Sequence, residues 1–259
     1  MRVAAYQAPL QATRSMEALS LIREQIDWCE SEGVEILCCP EGVLGGLADY
    51  VSRPADIAIE VESGQLQTLL APLASDKVAT ILGFTEMCGS NRLYNSAAVF
   101  YKGSVVGTYR KLHPAIHRSV YEAGDGMPIF KIGGLTFGIV ICFDSNYFEP
   151  ANIMASRGAN ALFVPTNNGL PPTKAVLELV AEARKVDIAR AIENSVYVIR
   201  ADVAGRTDHL VSYGSSEIVD PDGRVLQSAQ PLSSGLVVAE IETVPRKDRR
   251  DGVLQETVA

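Results

Sequence analysis

Three side chains that can act together on a carbonyl carbon each follow an apolar segment of this sequence. Cys142 follows the run LTFGIVI at 135–141, and such Val- and Ile-rich runs are typical of strands buried on both faces. Glu41 follows the run VEILCCP, and Lys111 follows the return strand of a hairpin predicted at 97–110. In α/β proteins the strands lead to the sheet edge where ligands bind. We therefore expect a thiol, a carboxylate and an ammonium group to meet there.

The chemistry that this set supports is acyl transfer through a thioester. A thiol attacks as the thiolate, its free pKa is about 8.5, and a neighbouring cation such as Lys111 lowers that pKa. We expect Glu41 to accept the thiol proton, return it to the leaving amine and then activate the hydrolytic water. Lys111 and the backbone N–H of Phe143 are expected to hold the oxyanion, where the loss of one donor typically costs ~100-fold in rate.

Each of these residues also has an ordinary interpretation. A buried free cysteine is commonly a packing residue, and we expect Cys38 and Cys39 to be core residues of this kind. Glu41 alone fits a solvated loop acid, and Lys111 alone fits a surface lysine. These interpretations do not explain why all three residues, including Cys142, end strands.

The histidines give weaker signals. His113 and His117 have no third ligand at a convincing spacing, so we expect hydrogen-bonded loop histidines and no metal site. A papain-like protease needs a histidine downstream of its cysteine. Only His209 lies downstream here, in a polar loop at 205–209, so this interpretation is disfavoured.

Periodicity places helices between the strands. Helices are predicted near 19–29, 66–73, 151–156 and 173–193, and further strands at 78–84, 159–164, 196–201, 216–219, 224–227 and 236–240. Ser15 and Thr173 are the expected N-caps of the first and last helices. The pattern alone indicates an α/β protein.

At the three strand ends and beyond them, the sequence resembles the nitrilase superfamily of carbon-nitrogen hydrolases. The matching motifs are PEG at 40–42, YRKLH at 109–113, ICFD at 141–144 with Glu149 beyond it, LFVPTNN at 162–168, RAIEN at 190–194, and GSS at 214–216 leading into DPDG at 220–223. Any one motif is weak, whereas six in order across nearly the whole chain are specific. The resemblance implies a catalytic trio of Glu41, Lys111 and Cys142 without a cofactor. It also implies a four-layer αββα sandwich, in which two mixed β-sheets pack face to face with helices outside.

Departures from the family's pattern bear on the substrate. Many members carry an arginine followed by proline after the cysteine, whereas this chain has DSNYFE at 144–149, so recognition of a substrate carboxylate is not expected. Family members that act on nitriles usually have Trp-Glu after the cysteine. Here Phe143 and Asp144 follow it, which favours an amide.

Four residues are expected to bind the substrate. Many relatives use a second glutamate between the lysine and the cysteine, and Glu122 is the only glutamate in that interval. Whether Glu122 is a fourth catalytic residue stays open. Phe143 follows the cysteine, and Thr166 and Asn167 follow a predicted strand end. For the last two residues an ordinary loop turn is the alternative.

The composition fits an enzyme that acts on small molecules. The chain has 259 residues, 47% of them hydrophobic, which is enough to bury a large core. Because no linker, charge block or repeat interrupts it, we expect a single carbon-nitrogen hydrolase domain over 1–259. The net charge of −8 and the pI near 5.0 argue against nucleic acid and an anionic membrane as partners.

The sequence also supports expectations about cellular location and assembly. No apolar stretch is long enough to span a bilayer, and residues 1–7 fit a strand better than a secretion signal, so we expect a cytoplasmic protein with reduced thiols. The resemblance implies a homodimer or higher homo-oligomer, formed through the helix after Cys142 and the long helix. The polar tail at 246–259 is expected either to reach a partner subunit or to fray.

The sequence therefore predicts a hydrolase of small amides, carbamoyl amides or related C–N bonds that works through a thioester on Cys142. Two alternatives stay open. One is a noncatalytic scaffold that binds a metabolite or a partner. The other is an acyltransferase in which an amine intercepts the thioester better than water does.

Overall fold

The structure, a computed structural model, describes residues 1–11, 17–89, 91–174 and 177–243. Ser15, the expected cap of the first helix, and the tail at 246–259 lie outside these residues. Within them the α-helices are α1 (Ala18–Ser31), α2 (Gln65–Leu70), α3 (Phe148–Ser156) and α4 (Glu178–Asn194). No helix of this described part is long and apolar enough to cross a membrane.

The strands of the described residues form two mixed sheets. The nine-stranded sheet contains β1 (Arg2–Pro9), β2 (Ile36–Cys38), β3 (Ile59–Glu60), β4 (Ala79–Cys88), β5 (Arg92–Tyr101), β6 (Ser104–Arg110), β11 (Val203–Arg206), β12 (Val211–Ser212) and β15 (Gly235–Glu240). Its order is β12-β11-β1-β2-β4-β5-β6, with β15 paired to β1 and β3 paired to β4. The six-stranded sheet contains β7 (Ile129–Ile132), β8 (Leu135–Ile139), β9 (Ala161–Pro165), β10 (Tyr197–Ala201), β13 (Glu217–Val219) and β14 (Val225–Ser228), in the order β14-β13-β10-β9-β8-β7.

Alternate residues of β1 face two different cores, because successive side chains of a strand point to opposite faces. Val3 and Ala5 belong to the core that contains Phe163 of the six-stranded sheet. Ala4 belongs to the core that contains Ile22 of α1. Full burial of an isoleucine or phenylalanine side chain contributes about 1.5–3 kcal/mol to the stability of the folded chain. On the far side, α3 packs on β8 and α4 packs on β10, so the expected αββα sandwich is confirmed.

The last helix begins later than the sequence indicates. α4 starts at Glu178, and Thr173 lies in a turn, so the prediction of Thr173 as its cap is wrong. Pro171 and Pro172 precede this turn, and the N–H of Lys174 donates to the carbonyl of Pro171 at 2.8 Å. This hydrogen bond closes a turn before the helix can begin.

Two strand regions are longer than predicted. β4 extends to Cys88 and pairs antiparallel with β5 from Arg92, where periodicity predicted strands only at 78–84 and 97–101. Polar residues in this hairpin interrupt the apolar pattern from which the strands were predicted. In the structure these side chains are hydrogen-bonded to each other, since Ser96 Oγ donates to Glu86 at 2.7 Å. β11 and β12 also pair where a polar loop was predicted.

Candidate active site

Glu41 lies three residues after β2 on a segment that rests against the backbone of β4. The N–H of Leu44 donates to the carbonyl of Gly83 at 3.1 Å, which holds this segment along the strand. A Cβ at Gly83 would lie 2.5 Å from the carbonyl oxygen of Pro40, closer than any side chain allows. Glycine at this position therefore permits the close backbone approach that buries Glu41.

Three donors converge on the carboxylate of Glu41, a residue that is only 2% exposed. Lys111 Nζ donates to Oε1 at 2.6 Å, and Asn95 Nδ2 donates to the same oxygen at 2.7 Å. The backbone N–H of Asn167 donates to Oε2 at 3.1 Å. Charge-assisted bonds of this kind are stronger than neutral ones, so they hold the carboxylate in one orientation.

Lys111 follows β6 and is also buried. Its N–H donates to the carbonyl of Asn95 at 2.8 Å, which continues the pairing of β6 with β5. Burial by itself would lower the pKa of Lys111, but the negative charge of Glu41, and of Cys142 when it is ionised, outweighs burial and raises the pKa above its ordinary value. Lys111 is therefore an ammonium group at neutral pH and can donate to an oxyanion.

Cys142 begins a short 3₁₀ turn, Cys142–Asn146, soon after β8 ends. The N–H of Val140 donates to the carbonyl of Phe163 at 3.0 Å, so the pairing with β9 continues past the end of the strand. Cys142 itself has a φ of 46°, in the left-handed region that costs an L-residue about 1–2 kcal/mol. Such strain is characteristic of functional sites, and here it turns the chain sharply at the thiol.

Asp144 joins the two chain segments that carry Lys111 and Cys142. Its fully buried carboxylate accepts a hydrogen bond from the hydroxyl of Tyr109 at 2.7 Å and another from the N–H of His113 at 2.8 Å. Tyr109 and His113 stand two residues before and two residues after the lysine. One carboxylate thus fixes the end of β6 against the turn of the cysteine.

The thiol of Cys142 is neutral at rest. Burial and the charge of Glu41 raise its pKa to about 12, although Lys111 and Arg200 act in the opposite direction. Lys111 lowers the pKa of the thiol, as expected, but burial and the charge of Glu41 outweigh its effect. A base must remove the proton as the sulfur attacks, and Glu41 is the carboxylate whose charge acts most strongly on this thiol.

Two cavities flank the cysteine and share Cys142, Phe143 and Asn168 in their walls. The first has a volume of about 230 Å³ and is lined also by Glu41, Leu47, Asp49, Tyr50, Asn95, Lys111, Pro114, Ala115, Ile116, Tyr121, Asn167 and Leu170. The second has a volume of about 300 Å³ and is lined also by Ser145, Asn146, Leu179, Glu182, Ala183, Val186 and Arg200. The predicted trio therefore shares one cavity, and α4 forms a wall of the other.

Only two of the four residues expected to bind substrate line the cavities. Phe143 and Asn167 line the cavities, whereas Thr166 lines neither. Thr166 is fully buried, and its Oγ1 donates to the carbonyl of Val164 at 3.0 Å and accepts a hydrogen bond from Arg200 at 2.8 Å. Its side chain faces the protein interior, and these hydrogen bonds support a structural role, so we leave Thr166 out of the proposed site.

Glu122 lies apart from the site. Its carboxylate is half exposed and accepts a hydrogen bond of 3.3 Å from the hydroxyl of Tyr94. It also lies 4.0 Å from the guanidinium of Arg92, and it lines neither cavity. This position places Glu122 at the surface, and we leave it out of the proposed site.

Sequence reasoning did not identify Asn95 and Arg200. Both are buried polar residues inside apolar strands, Asn95 in β5 and Arg200 in β10. A buried polar group is expensive unless it is hydrogen-bonded, so an isolated Asn or Arg in such a run signals a partner. The signal is present in the sequence, but the identity of the partner is not.

His113 is a hydrogen-bonded loop histidine, as expected. Its Nδ1 lies 3.0 Å from Asp144 Oδ1, and its ring stacks on Tyr147 with the ring centroids 3.7 Å apart. In the part of the chain that the structure describes, His, Cys, Asp and Glu side chains form no group of three or more that could hold a metal ion.

Comparisons with known proteins point to one family. A family model described as carbon-nitrogen hydrolase matches residues 2–247. A nitrilase from Pyrococcus abyssi is 29% identical over 238 residues, which cover 90% of this chain and 85% of that protein. An (R)-stereoselective amidase from a Pseudomonas species is 33% identical over 198 residues, which cover 75% of this chain and 69% of that protein. A solved structure of an amidase from the nitrilase superfamily, from Nesterenkonia AN1, superposes with a TM-score of 0.77 at 23% identity and covers 93% of this chain and 90% of its own.

Proposed function

The chain belongs to the carbon-nitrogen hydrolase family, and on this premise we propose that it hydrolyses small amides or carbamoyl amides through a thioester on Cys142. The observation that supports this proposal most strongly is the buried pair of Glu41 and Lys111 in the wall of the cavity that Cys142 also lines. A buried acid and cation beside a thiol supply a base, an oxyanion donor and a nucleophile.

The first half of the reaction forms the acyl-enzyme. The sulfur of Cys142 attacks the amide carbon while Glu41 takes the thiol proton. Lys111 Nζ and the N–H of Phe143 donate to the oxyanion of the tetrahedral intermediate. The C–N bond then breaks, Glu41 returns the proton to the leaving nitrogen, and ammonia or an amine departs from a thioester. The raised pKa of Cys142 supports a proton transfer that accompanies attack.

The second half of the reaction restores the thiol. Glu41 accepts a proton from a water molecule, which attacks the thioester carbon and passes through a second oxyanion held by the same donors. The C–S bond breaks and the sulfur recovers its proton, so the products are a carboxylic or carbamic acid and the free enzyme. The three hydrogen bonds to Glu41 keep the same carboxylate in position for both halves.

An amide is the proposed substrate in preference to a nitrile. Phe143 and Asp144 follow the cysteine, where relatives that act on nitriles usually have Trp-Glu. The cavities of about 230 and 300 Å³ fit a small acyl group. Both cations that line them are already paired, Lys111 with Glu41 and Arg200 with Asp187, which supports an acyl group without a carboxylate.

The assembly implied by the resemblance, a homodimer or higher homo-oligomer, stays a prediction. α3 and α4 contact each other, and each leaves a large apolar side chain exposed, Phe148 and Ile192. Exposed apolar groups on neighbouring helices support an interface there. Light scattering during gel filtration measures the mass directly, and a mass of one chain across micromolar concentrations would contradict the prediction.

Ammonia release tests the proposed function. Wild type and Cys142→Ala are each incubated with short aliphatic amides, carbamoyl amino acids and the matching nitriles. We expect ammonia from at least one amide or carbamoyl compound with wild type and none with the variant. Ammonia from the nitriles alone would show that nitriles, and not amides, are the substrate class. Ammonia release by both proteins would remove Cys142 from the mechanism.

A further inference from the structure

Arg200 is a fully paired cation buried between the six-stranded sheet and α4, with 3% of its surface exposed. Its Nε donates to one carboxylate oxygen of Asp187 at 2.6 Å, and its Nη2 donates to the other at 2.5 Å. Nη2 also donates to Ser145 Oγ at 3.0 Å, and Nη1 donates to Thr166 Oγ1 at 2.8 Å. The planar guanidinium thus joins a helix, a turn and a strand end in one fixed geometry.

Two of these contacts lead directly to the reacting groups. Ser145 Oγ donates to the carbonyl of Cys142 at 2.8 Å, so Arg200 holds the turn that presents the thiol. The carbonyl of Thr166 accepts the N–H of Glu41 at 3.3 Å. The residue after this threonine, Asn167, donates its N–H to the carboxylate of Glu41, so the same guanidinium also holds the segment that orients the base.

Arg200 also brings a cation to the segment after the cysteine. Many relatives carry an arginine in the segment after the cysteine, and this chain has none there. Arg200 reaches that segment from β10 and shares a cavity wall with Cys142 and Asn146. Its charge favours the ionised thiol and opposes the effect of Glu41.

We propose that Arg200 is a positioning residue for this enzyme, which fixes the turn of Cys142 against the segment that holds Glu41, and that Asp187 fixes Arg200 in turn. The proposal rests on the proposed function, because it assigns the two residues to the alignment of that nucleophile and that base. The proposal therefore gives this buried ion pair a role in the alignment of the reacting groups as well as in stability. Replacement of a buried pair by apolar side chains is often neutral for stability, so stability and alignment can be measured apart.

The test compares two double variants. Arg200→Met with Asp187→Leu removes both charges of the proposed pair and leaves no unpaired buried ion. Arg184→Met with Glu217→Gln removes the neighbouring pair, in which Arg184 Nε donates to Glu217 at 2.7 Å across the same helix and sheet. Neither Arg184 nor Glu217 lines a cavity, so this variant is the control, with the difference that Arg184 is 42% exposed whereas Arg200 is buried.

Two readouts are measured on each folded variant. The first is the rate at which iodoacetamide alkylates Cys142, followed by intact-protein mass from pH 7 to 10, which needs no knowledge of the substrate. The second is kcat and KM on the best amide of the panel. If wild type alkylates but hydrolyses nothing, the proposed function fails while the alkylation rate still tests Arg200.

We expect slower alkylation, a pH profile displaced to higher pH, and a kcat at least about tenfold lower with KM little changed, since a misplacement of 1 Å can cost ~100-fold. The control should stay within twofold of wild type, about 0.4 kcal/mol. Alkylation of the Arg200 variant within twofold of wild type, or an equal loss in the control, would overturn the proposal. If the double variant does not fold, Arg200→Lys is measured instead, because it keeps the charge but loses the planar guanidinium. Alkylation within twofold of wild type, or an equal loss in the control, would again overturn the proposal.

Discussion

Lys111 donates a hydrogen bond of 2.6 Å from Nζ to Oε1 of Glu41, and both side chains are almost completely buried. An ion pair without solvent is costly to form and still more costly to break, because a lone partner keeps its charge in the interior. A buried pair in a cavity wall therefore needs a reason, and the one that we propose is catalysis at the thiol that lines the same cavity. The first three predictions concern this pair and its support.

Removal of one partner should harm stability and turnover together. Glu41→Gln or Lys111→Met leaves one buried charge, so each should lower the free energy of unfolding by about 3–5 kcal/mol. Glu41→Gln should also lower kcat by ~100-fold or more, since general acid–base catalysis contributes that much. Urea unfolding and ammonia release measure the two effects.

A double variant separates the effect on stability from the effect on turnover. Glu41→Gln with Lys111→Met should recover much of the lost stability, because no uncompensated charge remains, and should stay inactive. If the double variant regains turnover along with stability, the pair has only a structural role.

Glu41→Gln should change two reactions of Cys142 in opposite directions. The charge of Glu41 raises the pKa of the thiol, so its neutralisation lowers that pKa and increases the thiolate fraction, by ~tenfold for each pKa unit at pH well below the pKa. Alkylation by iodoacetamide at pH 8 to 9 should therefore accelerate while amide hydrolysis falls. Cys142→Ala gives the background from the other cysteines. Slower alkylation in Glu41→Gln would contradict this prediction.

Gly83→Ala should displace the segment of Glu41. The new Cβ would meet backbone atoms of Pro40 and Gly42 at 2.5 Å, and overpacking against backbone should cost about 3 kcal/mol or more, along with most of the activity. Gly235→Ala is the control, because a Cβ at that strand glycine meets no atom within 4 Å. Its stability should change by less than about 0.5 kcal/mol. Equal effects of the two variants would argue against a special role of Gly83.

Tyr109→Phe should weaken the link between the lysine segment and the cysteine turn. The lost hydrogen bond ends on the buried carboxylate of Asp144, so we expect a cost of about 1.5–3 kcal/mol and a several-fold lower kcat. Tyr197→Phe is the matched control: its hydroxyl accepts the N–H of Glu242, and Tyr197 lines neither cavity. A wild-type kcat in Tyr109→Phe would show that this link does not position the reacting groups.

The strand ends could be predicted from the sequence because an apolar run and its terminator are local features. Periodicity and the family motifs placed Glu41, Lys111 and Cys142 at strand ends. The structure brings the ends of β2 and β6 from one sheet and of β8 from the other to one cavity. Their catalytic roles stay predictions until variants are measured.

The partners of these residues could not be predicted, because they come from distant parts of the chain. Asn95 meets Glu41 across 54 positions, and Arg200 meets Ser145 across 55. The effect of burial on the pKa of Cys142 was also missed, since a sequence shows the neighbouring cation of a thiol but not the volume of protein around it. The start of α4 was misplaced because a local turn at Pro171 replaced a helical cap.

The central claim is a thioester on Cys142, and intact-protein mass spectrometry of the enzyme quenched in acid during turnover tests it most directly. Wild type incubated with an amide that releases ammonia should gain the mass of the acyl group, which hydroxylamine removes as the hydroxamate. Cys142→Ala should gain nothing, and peptide mapping should place the added mass on Cys142. Ammonia release by wild type at full rate with no trapped acyl group on this cysteine, even in rapid-quench samples, would contradict the account.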